Sequence, residues 1–143
     1  MSFNNIYRVS GSAMTAQTIR LNAIASNLAN AESPAASAAT VYKARSPVFS
    51  AVYSPRSATH PQGVNGAQVQ VQVLDVVETG GSVQRYEPNH PLANPQGYVF
   101  YPAVNVVSEM ADMMSASRSF ETNVEVLNSV KSMQQSVLRL GER

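Results

Sequence analysis

Residues 105–140 contain neither proline nor glycine, and their apolar positions recur at helical spacing. Met113, Phe120, Leu127 and Gln134 fall on one heptad row. Ala116, Val130 and Val137 fall on the adjacent row, interrupted by Asn123, while Met110, Val124 and Leu138 widen the stripe. Asn105 suits an N-cap. Glu109 and Asp112 stand near the positive end of the resulting helix dipole, Lys131 and Arg139 near its negative end. A helix of ~35 residues rises roughly 50 Å. A compact globule of 143 residues is only about 37 Å across. With no proline or glycine to kink it, this helix outgrows such a globule. The stretch therefore predicts an elongated molecule that leaves apolar surface for neighbours.

A second helix is expected at the other end, from about residue 4 to residue 31. Tyr7, Met14, Leu21 and Leu28 recur every seven residues, and Ser10, Gln17, Ile24 and Ala31 supply a thin, partly polar second row. Asn4 or Asn5 suits its cap, and no proline intervenes before Pro34. Gly11 weakens the early turns by about 1 kcal/mol. So narrow a stripe orders fully only when packed against something.

Between the helices, residues 32–102 hold all eight prolines and read as β structure. Residues 67–77 alternate, placing Val69, Val71 and Val73 on one face of a half-buried strand. Gly80-Gly81 reads as a hairpin turn into a partner strand at 82–86. Residues 48–53 and 98–101 suggest further short strands, with loops at 33–40 and 54–66. The expected fold is α+β: long N- and C-terminal helices pairing in a coiled-coil-like axial core, with a small β-rich middle insertion. The divisions fall at 1–31, 32–102 and 103–143.

Charged residues make up only 13% of the chain, so polarity rests on Ser, Asn, Gln and Thr. A surface of that kind is less costly to cover with another subunit than one rich in Lys and Glu. A net charge of +1 without a basic cluster argues against nucleic acid or anionic lipid as a partner. The absence of cysteine excludes disulfides and thiolate metal sites. No stretch approaches the ~20 apolar residues of a membrane span. The first residues lack a Sec-type signal pattern, so passage across a membrane would need a dedicated exporter.

No catalytic, cofactor or metal site is expected. His60 and His90 each precede a proline in a loop, away from carboxylate clusters. No nucleophile elbow and no phosphate-binding glycine pattern occurs. Glu121 and Glu125, with Arg118 nearby, read as a charged helix face. Met110, Met113, Met114 and Met133 read as adaptable packing.

Ser26-Asn27-Leu28-Ala29-Asn30-Ala31 after an amphipathic helix resembles the signature of bacterial flagellar rod, hook and hook-associated axial proteins. Further stretches resemble the proximal-rod members of that family: residues 86–93 (YEPNHPLA), 97–99 (GYV), 102–106 (PAVNV), 109–110 (EM), 115–123 (SASRSFETN) and 126–133 (VLNSVKSM). Glu32-Ser33-Pro34 departs from the Thr-x-Gly-Tyr turn of many members, and Phe120 stands where Tyr is common.

The resemblance implies a structural rod subunit of the flagellar basal body, passed through the flagellar type III export system without a cleaved signal into the periplasmic rod. It implies as partners copies of the chain itself, other rod proteins, the rod-base adaptor and the export apparatus, with no small-molecule substrate. Subunit packing would then fall to Met14, Leu21, Ile24 and Leu28 against Met110, Met113, Phe120, Val124, Leu127 and Val130. Asn27, Asn30 and Asn123 would make polar contacts between neighbours that fix register. The competing readings are another axial component, such as a different rod or hook-base protein, and a soluble helical/β module that binds peptides.

Overall fold

Asn105 Oδ1 accepts the Val107 and Ser108 backbone N–H groups at 3.1 and 3.2 Å, and that cap starts the long C-terminal helix. In the computed structural model, which describes residues 3–54 and 68–141, the order is α1 (Phe3–Asn30), β1 (Ala44–Ser54), β2 (Gln68–Thr79), β3 (Ser82–Tyr86), β4 (Tyr98–Pro102) and α2 (Val106–Gly141). Of the loop expected at 54–66, Ser54 instead ends β1, and the rest, His60 included, lies outside the described residues. With 36 residues, α2 is roughly 54 Å long; α1, with 28, is roughly 42 Å. Phe3 is already helical, so Asn4 and Asn5, expected as caps, sit inside the first turn instead.

The two helices pack side by side and antiparallel. The Tyr7 hydroxyl donates to Gln134 Oε1 at 3.1 Å at one end. Arg20 pairs with Asp112 at 2.6 Å, and Asn27 bonds Glu109 at 3.1 Å, at the other. No helix among the described residues is long and apolar enough to cross a membrane.

The strands form two separate antiparallel pairs, β1 with β2 and β3 with β4. The expected hairpin across Gly80-Gly81 is therefore corrected: β2 and β3 belong to different sheets. β2 pairs with β1 along its length, and the chain leaves it at Gly80. The Val71 N–H of β2 donates to Ser12 Oγ of α1 at 3.1 Å. Gly80, at φ +97, turns the chain away, and the Gly81 carbonyl accepts the Ala103 N–H at 3.0 Å where β4 ends.

A bulge in β2 leaves Leu74 unpaired, since Val48 faces Asp75 and Phe49 faces Val73. The extra residue keeps Val76 on the side of the ribbon that carries Val69, Val71 and Val73. The ribbon runs back along α1, which lies between it and α2.

The loop 87–97 joining β3 to β4 is held by its own backbone bonds and by Asn94 Oδ1, which accepts from the Gln96 and Tyr98 N–H groups. Ala35, within the expected 33–40 loop, exchanges two backbone bonds with Phe100 and so pins this hairpin to the segment after α1. The core is thin. Among the described residues eight apolar side chains are buried, four of them alanines, while 21 large apolar residues are exposed.

Candidate assembly interface

On α1 the heptad row of large residues is not the deepest one. Tyr7, Met14, Leu21 and Leu28 are half-buried, whereas Ser10, Ile24 and Ala31 of the second row are buried. Ala16 and Ala23, seven residues apart and absent from the sequence expectation, are 3% and 7% exposed. The cause is geometric: α1 is covered by α2 and by the ribbon, and small side chains let both approach. Gln17 lies on the row of Ser10, Ile24 and Ala31, with its Oε1 buried and meeting no donor among the described residues.

Asn27, at the end of this helix, is the centre of the polar network. Its side chain is 1% exposed and fills all four hydrogen-bonding positions. Oδ1 accepts from the Arg45 N–H at 2.8 Å and from the Tyr42 hydroxyl at 2.9 Å. Nδ2 donates to the Arg45 carbonyl at 3.0 Å and to Glu109 Oε1 at 3.1 Å. One amide thus ties α1, the start of β1 and the first turn of α2. Sequence reasoning singled out Asn27 for contacts between subunits; its capacity is spent within one. Asn30 and Asn123 likewise donate to carbonyls of their own helices, Ser26 and Ser119. Tyr42 and Glu109 carry no periodic signal that would have marked them as partners of Asn27. Ala16 and Ala23 do carry one, their seven-residue spacing, which a search for large apolar residues passes over.

Along α2 only Ala116 and Val130 are buried; Met113, Phe120, Asn123 and Leu127 are half-buried on the side that meets α1. Met110 and Val124, expected in the same seam, are 53% and 37% exposed. The structure therefore brings Ile24 and Val130 into the helix pair and leaves Met110 and Val124 outside it. Two groups of exposed apolar side chains lie on α2: Val107, Met110 and Met114 near its start, and Met133, Val137, Leu138 and Leu140 near its end. From residue 135 onward every described side chain is exposed, beyond the contact of Gln134 with Tyr7.

Several hydroxyl side chains are satisfied by their own helices. Thr15, Thr18, Ser119, Thr122 and Ser136 each donate to the carbonyl four residues earlier. Such groups lose little when covered, because they give up few bonds to water. In the β3–β4 hairpin, Arg85 lies over the Tyr101 ring at 4.5 Å and the Tyr101 hydroxyl donates to Glu87. Desolvation, then the Glu87 hydrogen bond and charge, raises the pKa of that phenol. Among the described residues no three His, Asp or Glu side chains gather as a metal site. His90 lies in the 87–97 loop and is half-buried, with Nδ1 accepting the Leu92 N–H at 3.1 Å.

Two family models match the ends of the chain, where the helices lie. Residues 8–34 match the flagella basal body rod protein, and residues 96–140 the C-terminal part of the flagellar basal body rod FlgEFG protein. Over 99% of this chain and 100% of the relative, the sequence is 46% identical to flagellar basal-body rod protein FlgC of Escherichia coli O6:H1. It is 44% identical to FlgC of Salmonella typhimurium over the same shares. FlgC of Aquifex aeolicus is 37% identical over 92% of this chain and 91% of its own length. Two helices joined by a β insertion, with similarity running through all three parts, make this chain a member of the FlgC family of flagellar basal-body rod proteins.

Proposed function

We propose that the chain is a structural subunit of the proximal rod of the flagellar basal body, polymerising through its terminal helices into the drive shaft and the wall of the export channel. The observation that carries this reading is the apolar surface that α2 leaves exposed. Val107, Met114, Leu138 and Leu140 are each more than 60% exposed on a helix that extends past its partner. Covering one such side chain fully stabilises an assembly by roughly 1.5–3 kcal/mol. In this reading residues 1–31 and 103–143 form the axial part and 32–102 the insertion. Met14, Leu21, Ile24, Leu28, Met113, Phe120, Leu127 and Val130 hold the helix pair together, while Met110 and Val124 face neighbouring subunits.

Those neighbours are copies of the chain, other rod proteins, and the rod-base adaptor beside the export apparatus. The subunit works as a scaffold and not as a catalyst. It reaches the periplasmic part of the rod through the flagellar type III system without processing. The thin core suits that route, because a chain with few large buried side chains loses little on being unfolded for passage.

Incorporation into isolated basal bodies tests the reading. Met114→Asp and Leu138→Asp alter exposed positions and leave the subunit folded, yet are expected to abolish incorporation and motility. Normal rods built from both variants would refute it.

A further inference from the structure

We propose that Asn27 is a latch that makes seating of the β1–β2 ribbon depend on closure of α2 over α1, with Glu109 as the positioning residue that works through it. The Asn27 amide treats Arg45 as a neighbouring strand would. It accepts the Arg45 N–H at 2.8 Å and donates to the Arg45 carbonyl at 3.0 Å. This reciprocal pair needs one orientation of the amide, since a flip would set oxygen against carbonyl and N–H against N–H.

Two further bonds hold that orientation. Glu109 Oε1, at 3.1 Å, takes the second Nδ2 hydrogen, and the Tyr42 hydroxyl, at 2.9 Å, fills the second position on Oδ1. Glu109 belongs to α2, and Arg20–Asp112 closes the same end of the helix pair one turn further along. The Arg45 guanidinium rests over the Tyr42 ring at 5.9 Å, so the segment entering β1 docks as a unit.

Half-formed states are penalised because Asn27 is 1% exposed. If the ribbon seats without α2, one Nδ2 hydrogen is left without its acceptor and one of the two bonds that hold the amide's orientation is lost. If the helices close without the ribbon, three of the four bonds are missing. Buried polar groups left unpaired cost far more than their satisfied bonds contribute, so the network closes as a whole or stays open. Helix pairing and ribbon docking are thereby one event.

Amide hydrogen exchange of the full-length chain, read at Arg45, tests this. Glu109 does not touch Arg45, so its effect there passes through Asn27. Glu109→Ala is expected to speed exchange at Arg45 roughly tenfold, as for loss of one buried bond, and to leave the Phe100 amide, bonded to Ala35, unchanged. Glu109→Gln keeps an acceptor and should restore the wild-type rate to within about threefold. In an Asn27→Ala background, Glu109→Ala should add nothing further. An unprotected Arg45 amide in the wild-type chain would overturn the proposal. So would a Glu109→Ala chain with no change at Arg45, or with equal acceleration at Phe100.

Discussion

A methyl group placed on Gly97 would lie 2.8 Å from Tyr86 Cε2 and 3.3 Å from Pro88 Cβ, on backbone at φ +82. Left-handed backbone costs a side-chain-bearing residue about 1–2 kcal/mol even where there is room. Gly97→Ala is therefore expected to lower stability by at least that amount in chemical denaturation. Far-UV circular dichroism should keep its helical signal, because the damage falls on the β3–β4 hairpin. The edge-to-face contact of Tyr86 with Tyr98, 5.3 Å between centroids, would be lost with it. Gln17 gives the opposite case. Its Oε1 is buried without a donor among the described residues, and such a group costs about 1–3 kcal/mol. Gln17→Met, of similar length and without the polar atom, is expected to raise the denaturation midpoint. An unchanged or lower midpoint would mean that the amide is held by a partner after all.

At the scale of elements, Gly11 is an ordinary helical position. A Cβ built there meets nothing within 4 Å. Gly11→Ala should then stabilise α1 by up to about 1 kcal/mol, measured as a shift in thermal midpoint. If the same variant fails to enter rods, a neighbouring backbone approaches α1 at that point. The helices were legible in the sequence because residues 105–140 offer no break and Asn105 offers a cap, a local signal that nothing else in the chain contradicts. The strands were legible too, but not their pairing. Gly80-Gly81 is a sound hairpin turn in isolation, and only the tertiary pairing of β2 with β1 and of β3 with β4 shows that the chain leaves one sheet there and enters another. The same limit applied to the interface. Heptad spacing marked Ile24 and Val130, yet α1 is covered on two sides, which favours Ala16 and Ala23 at depth. Asn27 was visible as part of a motif, whereas Tyr42 and Glu109 reach it from 15 and 82 residues away.

For the whole molecule, firmness is unevenly distributed along the helix pair. One end holds Asn27–Glu109, Arg20–Asp112 and the start of the ribbon; toward the other, Tyr7 bonds Gln134, and every described α2 side chain past that point is exposed. Half-exposed ion pairs such as Arg20–Asp112 contribute about 0–1 kcal/mol, so the difference rests chiefly on the buried Asn27 network and the Ala-rich packing around it. Local opening follows such differences, since segments with few buried contacts open most readily. Limited trypsin digestion of the free chain should consequently cut at Arg139 and Lys131, both exposed, well before Arg20. Assembled rods make the discriminating comparison. If neighbours cover Leu138 and Leu140, as the apolar surface of α2 requires, the Arg139 and Lys131 sites become resistant on assembly while Arg20 changes little. Equal cleavage of Arg139 in free and assembled protein would leave the end of α2 outside the packed wall. The contacts between subunits would then have to be sought on the outer surface of its first half, around Val107, Met110 and Met114.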